Sequence, residues 1–305
     1  MRRRGLALLL PGAACLLAGC GQQFVLLQPA GPVARTELHL IETVAVAMGA
    51  VILFVFALFA IALWRFRDRP GNRAPYTPNW EGSRILEVIW FVIPIAILAV
   101  IAVPTVRQTY ALAHVPKAPD PVVVDVTSLD WKWLFQYPAQ QVATVGYADV
   151  PVGVPVLYEL TANSPMNTFW VPQLGGMEYT MPGRVLPLWL EASKPGVYQG
   201  RSANFSGSGF VHMRFHIQAV SPSQFQGWVA QVRQTAPAMT MTDYQALLQH
   251  NVVPDATYSS YPASTFPQAS HGFTLQGGMY VMATGPGGVA ELPATGSLSM
   301  GGAKG

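Results

Sequence analysis

Charge is scarce in this 305-residue chain. Lys and Arg number 18, Asp and Glu 15, and together they make up 11% of the residues, against roughly 25% in an average soluble domain. With 51% hydrophobic residues and a mean hydropathy of +0.30, the composition excludes an intrinsically disordered chain and places part of it in lipid. A formal charge of +3, with no basic, aromatic-interleaved patch, excludes a dedicated nucleic-acid binder. Cysteine is scarcer still: Cys15 and Cys20 are the only two, too few for a disulfide scaffold. Also missing are a G-x-S-x-G elbow, an H-E-x-x-H pair and a paired carboxylate set in the second half, so hydrolase chemistry has no machinery. What remains is a membrane protein of about two domains, with one sizeable soluble part.

Met1-Arg2-Arg3-Arg4 followed by the apolar stretch Gly5 to Leu17 reads as the charged and hydrophobic regions of a bacterial export signal, too short for a stable span. It closes on Leu17-Ala18-Gly19-Cys20, small residues before a cysteine that resemble a lipobox. That resemblance implies cleavage before Cys20 and acylation of its thiol. The plain alternative is ordinary cleavage, which leaves Cys20 a free thiol. In either case Cys15 is discarded, and the lipidated chain keeps no cysteine for a metal.

Two charge-free runs follow, Thr43 to Trp64 and Val88 to Val106, bounded by Glu42, Arg65, Glu87 and Arg107. A hydrocarbon core of ~30 Å takes ~20 apolar helical residues, so each predicts a membrane span. The connection carries Arg65, Arg67, Arg69, Arg73 and Arg84 against Asp68 and Glu81, whereas the outer flanks offer Arg35, Arg107 and Lys117. The cation asymmetry puts the connection in the cytoplasm and both termini outside, as an exported N-terminus also requires. Trp64 and Trp90 fit interfacial anchors, and Pro94 loosens the second helix where neighbours can cover the freed backbone. Two helices make no pump or channel; their expected role is to pack on a larger membrane partner.

Beyond Pro116 the chain turns to short β-rich runs punctuated by Pro and Gly. The expected strands are Val122–Val126, Trp131–Tyr137, Val142–Tyr147, Val156–Thr161, Val185–Glu191, Val197–Ala203 and Phe210–Ala219, at a spacing that suggests a sandwich or Greek-key barrel. The last of these alternates apolar and polar residues with a period of two. Helical patterns return from Ser223 to about Asn251. Tyr258, Tyr261, Phe266, Phe273 and Tyr280 then dot an irregular surface segment, and the Gly-, Pro-, Ala- and Ser-rich end is expected to be disordered.

Local motifs carry a family resemblance. Leu86-Glu87-Val88-Ile89-Trp90-Phe91-Val92-Ile93-Pro94 resembles the second membrane helix of subunit II of haem-copper respiratory oxidases. Asp130-Trp131-Lys132-Trp133 is similar to the aromatic stretch that opens that family's cupredoxin domain. Asn167-Thr168-Phe169-Trp170-Val171-Pro172-Gln173-Leu174-Gly175 and Met181-Pro182-Gly183-Arg184 resemble the next block. Gly200 to Met213 resembles the segment that supplies most ligands of the dinuclear copper centre in cytochrome c oxidases. The blocks keep the family's order from about Glu42 to Ala219.

The resemblance implies a mixed membrane/β fold: a two-helix transmembrane hairpin, a cupredoxin-like Greek-key β-barrel and a C-terminal helical extension. The expected organisation is a lipoprotein signal at 1–19, a periplasmic segment at 20–41 and the hairpin at 42–107, with spans at about 43–64 and 88–106 and a cytoplasmic loop at 65–87. The cupredoxin-like domain is expected at 118–221, the helical and aromatic extension at 222–282 and the disordered tail at 283–305.

The departures from the family pattern decide the functional expectation. Copper-bearing members read Cys-x-Glu-x-Cys, then a His and a Met, with an earlier His. The matching places here hold Ser202, Asn204, Ser206, Phe210 and Met213, with Asn167 at the earlier one. A dinuclear centre needs bridging thiolates; serine hydroxyls stay protonated near neutral pH, and a lone thioether is a weak ligand. The chain therefore resembles subunit II of a bo-type ubiquinol oxidase, the branch that takes electrons from membrane quinol. That implies a non-redox subunit with no metal and no catalytic residue of its own, in a bacterial plasma-membrane complex that reduces oxygen to water and pumps protons. Haems, copper and the ubiquinol site are expected in subunit I, with no cytochrome c and no nucleic acid as partners. The competing readings are a copper-bearing cytochrome c oxidase subunit II and a free-standing cupredoxin-like envelope lipoprotein.

Other residues each have two readings. Glu87 matches a family carboxylate at the mouth of a proton-input pathway, or it simply faces a helix N-terminus. His212 and His216, expected at i and i+4 on one strand, would lie about 13 Å apart, too far for one ion, and read as surface histidines. Trp131 and Trp133 are relics of an electron-entry region or, with Trp170, core and partner-facing aromatics. Gly175-Gly176 and Gly207-Ser208-Gly209 lack the lysine of a phosphate loop and read as turns.

Overall fold

A computed structural model describes residues 24–72, 79, 82–116, 119–163 and 165–266, together with the backbone alone of 274–276 and 279–281. The expected export signal with Cys20, loop residues Arg73 and Glu81, Lys117, Phe273 and the expected disordered tail from 283 lie outside the described residues.

Two long helices come first. Helix α1 spans Pro32–Arg65. It starts after Gly31 with proline at its first position, where the missing N–H would have no intrahelical partner anyway. Helix α2 spans Arg84–Leu112 and holds Pro94 and Pro104 in its interior. Thr105 turns its hydroxyl back on the Ile101 carbonyl at 2.7 Å, an i−4 side-chain bond of the kind that bends helices. Both helices are long and apolar enough to cross a membrane, and large apolar side chains such as Leu53 and Ile95 point outward, 71% and 64% exposed. Each helix runs past its expected span, because its outer turns pack on the β-domain rather than ending at the lipid edge.

The strands are β1 Val122–Leu129, β2 Lys132–Tyr137, β3 Val142–Val145, β4 Tyr147–Pro151, β5 Val156–Ala162, β6 Asn167–Trp170, β7 Met177–Thr180, β8 Leu186–Leu190, β9 Gly196–Arg201, β10 Arg214–Val220 and β11 Ala256–Tyr258. They form a two-sheet sandwich: one sheet ordered β11-β3-β2-β1-β5-β8, the other β4-β10-β9-β6-β7. The pairs β1/β5 and β4/β10 are parallel and the remaining ladders antiparallel. Between the sheets Trp133, Phe135, Phe169 and Phe215 stack and tilt with centroids 4.7 to 6.3 Å apart. These large rings supply much of the buried apolar area. Helix α3, Pro222–Thr235, starts on a Ser221–Gln224 capping box and buries Phe225, Val229 and Val232. Helix α4 spans Met241–Leu247.

Three expectations change. The run Val142–Tyr147 is two strands, because Gly146 takes φ +83 and its missing Cβ leaves room for the Asp255 carboxylate. The chain thereby switches sheets between β3 and β4. The run Phe210–Ala219 is strand only from Arg214; Phe210–His212 forms a 3-10 turn. His212 therefore does not share a strand face with His216 and Arg214. Strands β6 and β7, four residues each, are too short to show a period in the sequence.

The hairpin is tied to the sandwich at its outer end. Ala30 N–H donates to Gln173 O at 2.8 Å, Ser193 N–H to Ala30 O at 2.8 Å, and Ala34 N–H to Leu174 O at 3.2 Å. Trp189 Nε1 donates to Leu112 O at 2.7 Å. Gly31 permits this approach, since a Cβ there would lie 2.2 Å from Glu191 O.

Candidate functional site

The loop between β9 and β10 gathers five of the six positions that the resemblance aligns with copper ligands, and the start of β6 brings the sixth. Ser202, just past the end of β9, is 3% exposed and fixed by its N–H donating to Met213 O at 3.0 Å. Its hydroxyl donates to Asn167 Oδ1 at 3.1 Å and accepts from Asn204 N–H at 3.4 Å. Asn204 Oδ1 in turn accepts from Thr168 Oγ1 at 2.7 Å, and Asn167 Nδ2 donates to Pro165 O at 2.8 Å. Ser206 Oγ donates to Met213 Sδ at 3.2 Å. Phe210 stands apart from this network, its ring 5.7 Å from that of exposed Phe205.

The loop holds this shape around one aromatic side chain. Trp131 sits in the β1–β2 turn at φ +63 and donates from Nε1 to Ser206 O at 3.0 Å. Its ring occupies the space where a Cβ on Gly209 would come within 2.0 Å of Cδ2. Gly207 at φ +106 lies against the same ring. Trp131, Thr168 and Gly209 are thus structural members of the site. The Gly207-Ser208-Gly209 spacing carried the signal for the glycines, and nothing local marked Thr168. Trp133 lies beneath, fully buried in the core, not in the loop.

Chemically the pocket is a closed exchange of hydroxyl, amide and thioether contacts. Copper would need thiolate or imidazole donors with lone pairs directed at one point. Here the oxygen groups are neutral and hydrogen-bonded to one another, and the one sulfur already accepts a hydrogen bond from Ser206. Among the described residues no group of three or more His, Cys, Asp or Glu could hold a metal ion. These residues do not fit a dinuclear copper centre.

The remaining candidates are dispersed. Glu87 lies in the first turn of α2, on an 820 Å³ cleft that it shares with Leu58, Arg84 and Trp90. It is far from the loop, at the hairpin end opposite the sandwich. His216 stacks on Tyr147 with centroids 5.5 Å apart and planes 13° apart, and its Nδ1 is 4.0 Å from Asp255. His212 is exposed. Lys132 donates to the carbonyls of Leu247 and Gln249 at 2.9 and 2.8 Å. Burial pushes its ammonium pKa down, partly offset by the negative charge of Asp130.

Comparison with known proteins fits this geometry. Residues 20–107 match the family description "Cytochrome C oxidase subunit II, transmembrane domain", and residues 141–220 match "Cytochrome C oxidase subunit II, periplasmic domain". The chain is 44% identical over 263 residues to the protein named quinol oxidase subunit 2 of Bacillus cereus, covering 85% of this chain and 90% of that one. The chain belongs to the cytochrome c oxidase subunit II family. A second relative named quinol oxidase subunit 2, from Bacillus subtilis, is 40% identical over 80% of this chain and 77% of its own length. Among solved structures, the periplasmic domain of cytochrome oxidase subunit II (CoxB) of Bradyrhizobium japonicum is 23% identical. It covers 39% of this chain and 97% of that one, with a TM-score of 0.37. As a member of the subunit II family the chain is a membrane protein and part of an oxidoreductase complex whose cofactors sit in a partner subunit. The expected fold, a two-helix hairpin, a cupredoxin-like β-domain and a C-terminal helical piece, is borne out, the Greek-key barrel being a two-sheet sandwich.

Proposed function

We propose that this chain is the non-redox subunit II of a terminal oxidase that takes electrons from ubiquinol, reduces oxygen to water and pumps protons. The observation that carries this reading is the bonded network of Asn167, Ser202 and Asn204 beside the Ser206–Met213 pair, which offers neither thiolate nor imidazole where the family's electron-entry metal is held. With no such centre, reduced cytochrome c has no acceptor on this domain, and electrons pass from quinol directly to the haems of subunit I. The curated relatives named for quinol oxidase support the same reading.

In this assembly the hairpin packs on subunit I in the bacterial plasma membrane, the arginine-rich connection faces the cytoplasm and the sandwich lies in the periplasm. Cys20 is the acylated first residue of the mature chain, a second anchor beside the two spans; an intact mass without a lipid increment on residue 20 contradicts that part. Glu87 hands cytoplasmic protons toward subunit I. The reading as a whole is tested by oxygen uptake of the solubilised complex: rapid with quinol and negligible with reduced cytochrome c. Two coppers bound per isolated subunit II, or turnover with cytochrome c, would instead favour the copper-bearing class. A fully functional chain purified without a haem-bearing partner would favour the solitary lipoprotein.

A further inference from the structure

The arginine-rich end of α1 is a shaped cavity and not a loose tail. After Arg65 the chain turns back on itself: Asn72 Nδ2 donates to Arg65 O at 3.3 Å and to Arg67 O at 2.9 Å, and Asn72 N–H donates to Arg69 O at 3.1 Å. Gly71 at φ +84 allows the turn. The hook borders a half-open cavity of about 380 Å³ lined by Trp64, Arg65, Arg67 and Arg69 and by the turn residues Pro70 to Asn72. The Arg67 guanidinium lies over the Trp64 ring, 5.5 Å from its centroid, which fixes its plane. Among the described residues no carboxylate lies within ion-pair distance of Arg65, Arg67 or Arg69. Arg65, Arg67 and Arg69 therefore line one small space, and among the described residues none of them is ion-paired, although Asp68 stands between two of them in the sequence.

The position selects the ligand. Trp64 closes the charge-free run of α1, so the cavity stands at the level of headgroups in the leaflet remote from the sandwich, with an aromatic ring at the boundary. Guanidinium forks match phosphate oxygens two at a time. A basic pocket at this depth takes the phosphodiester of a lipid whose chains lie along the helix. We infer that this hook is a binding site for the headgroup of an anionic phospholipid. It depends on the spans crossing a bilayer and is independent of which electron donor the complex uses.

The test measures phosphatidylglycerol held by the purified oxidase, by titration in detergent with native mass spectrometry of the released subunit II. The wild-type subunit retains phosphatidylglycerol, and phosphatidylcholine does not replace it. The R65Q/R67Q/R69Q variant weakens retention by about a hundredfold, since each arginine near an anionic lipid adds about a factor of five. N72A leaves charge and topology signals intact but opens the hook, and weakens retention by about threefold, the value of one modest hydrogen-bonded constraint. Equal retention in both variants overturns the site. Displacement of the lipid by millimolar inorganic phosphate overturns the lipid assignment, because it marks a site for free phosphate.

Discussion

Trp131 decides the shape of the β9–β10 loop more than any of the six positions expected to align with copper ligands. Its ring fills the place of a side chain at 209, its indole N–H holds Ser206 O, and Ser206 then caps Met213. Gly209→Ala forces a methyl group onto ring carbons at 2.0 to 2.4 Å, so overpacking is expected to cost about 1–3 kcal/mol. Thermal unfolding of the purified complex checks it: an unchanged midpoint would show that Trp131 moves aside freely. At this scale the sequence was legible for identity and blind to partnership. The absence of cysteine and histidine could be read at Ser202, Ser206, Phe210 and Asn167. That hydroxyls and amides now bond one another depends on β6 pairing beside β9 in the same sheet, next to the β9–β10 loop, and no sequence spacing encodes that contact.

Among the elements, β1 carries a titratable weak point. Asp125, 8% exposed, pairs in register with Glu159 of β5 and Gln136 of β2; Gln136 donates to Thr265. Burial, and secondarily the charge of Glu159, pushes the Asp125 carboxyl up to about 7 from 3.8. Between these values the folded chain keeps a proton that the unfolded chain has released. Its contribution is therefore complete below about pH 4 and is lost as pH rises toward 7. Asp125→Asn is expected to flatten this decline and to melt about 2–4 °C above wild type at pH 8 but not at pH 4. Parallel pH profiles for the two proteins would refute it. Asp149, raised by burial to about 6, contributes in the same direction and leaves some slope in the variant. Long elements were the easiest to read, since charge-free runs and strict alternation survive any packing. The Gly146 corner and the Phe210–His212 turn look like strand in the sequence because apolar alternation continues through them while a tertiary contact bends the backbone.

For the whole molecule, the sandwich and the far end of the hairpin are separate working regions on one chain. Glu87 lies at the end without the sandwich, and its proposed role concerns protons, not electrons. Glu87→Gln is expected to slow steady-state oxygen consumption of the assembled oxidase several-fold, with quinol affinity and haem content unchanged. Wild-type turnover and proton pumping in that variant would leave the carboxylate as no more than a favourable charge at a helix start, where such a residue adds about 0.3–1 kcal/mol. The hydrogen bonds of Ala30, Ala34 and Leu112 to the sandwich have a consequence for biogenesis. Once the sandwich has closed, both helices are clocked: their rotation about their own axes is set by contacts within the chain itself. Assembly then becomes the docking of a finished key rather than a search by two independent rods.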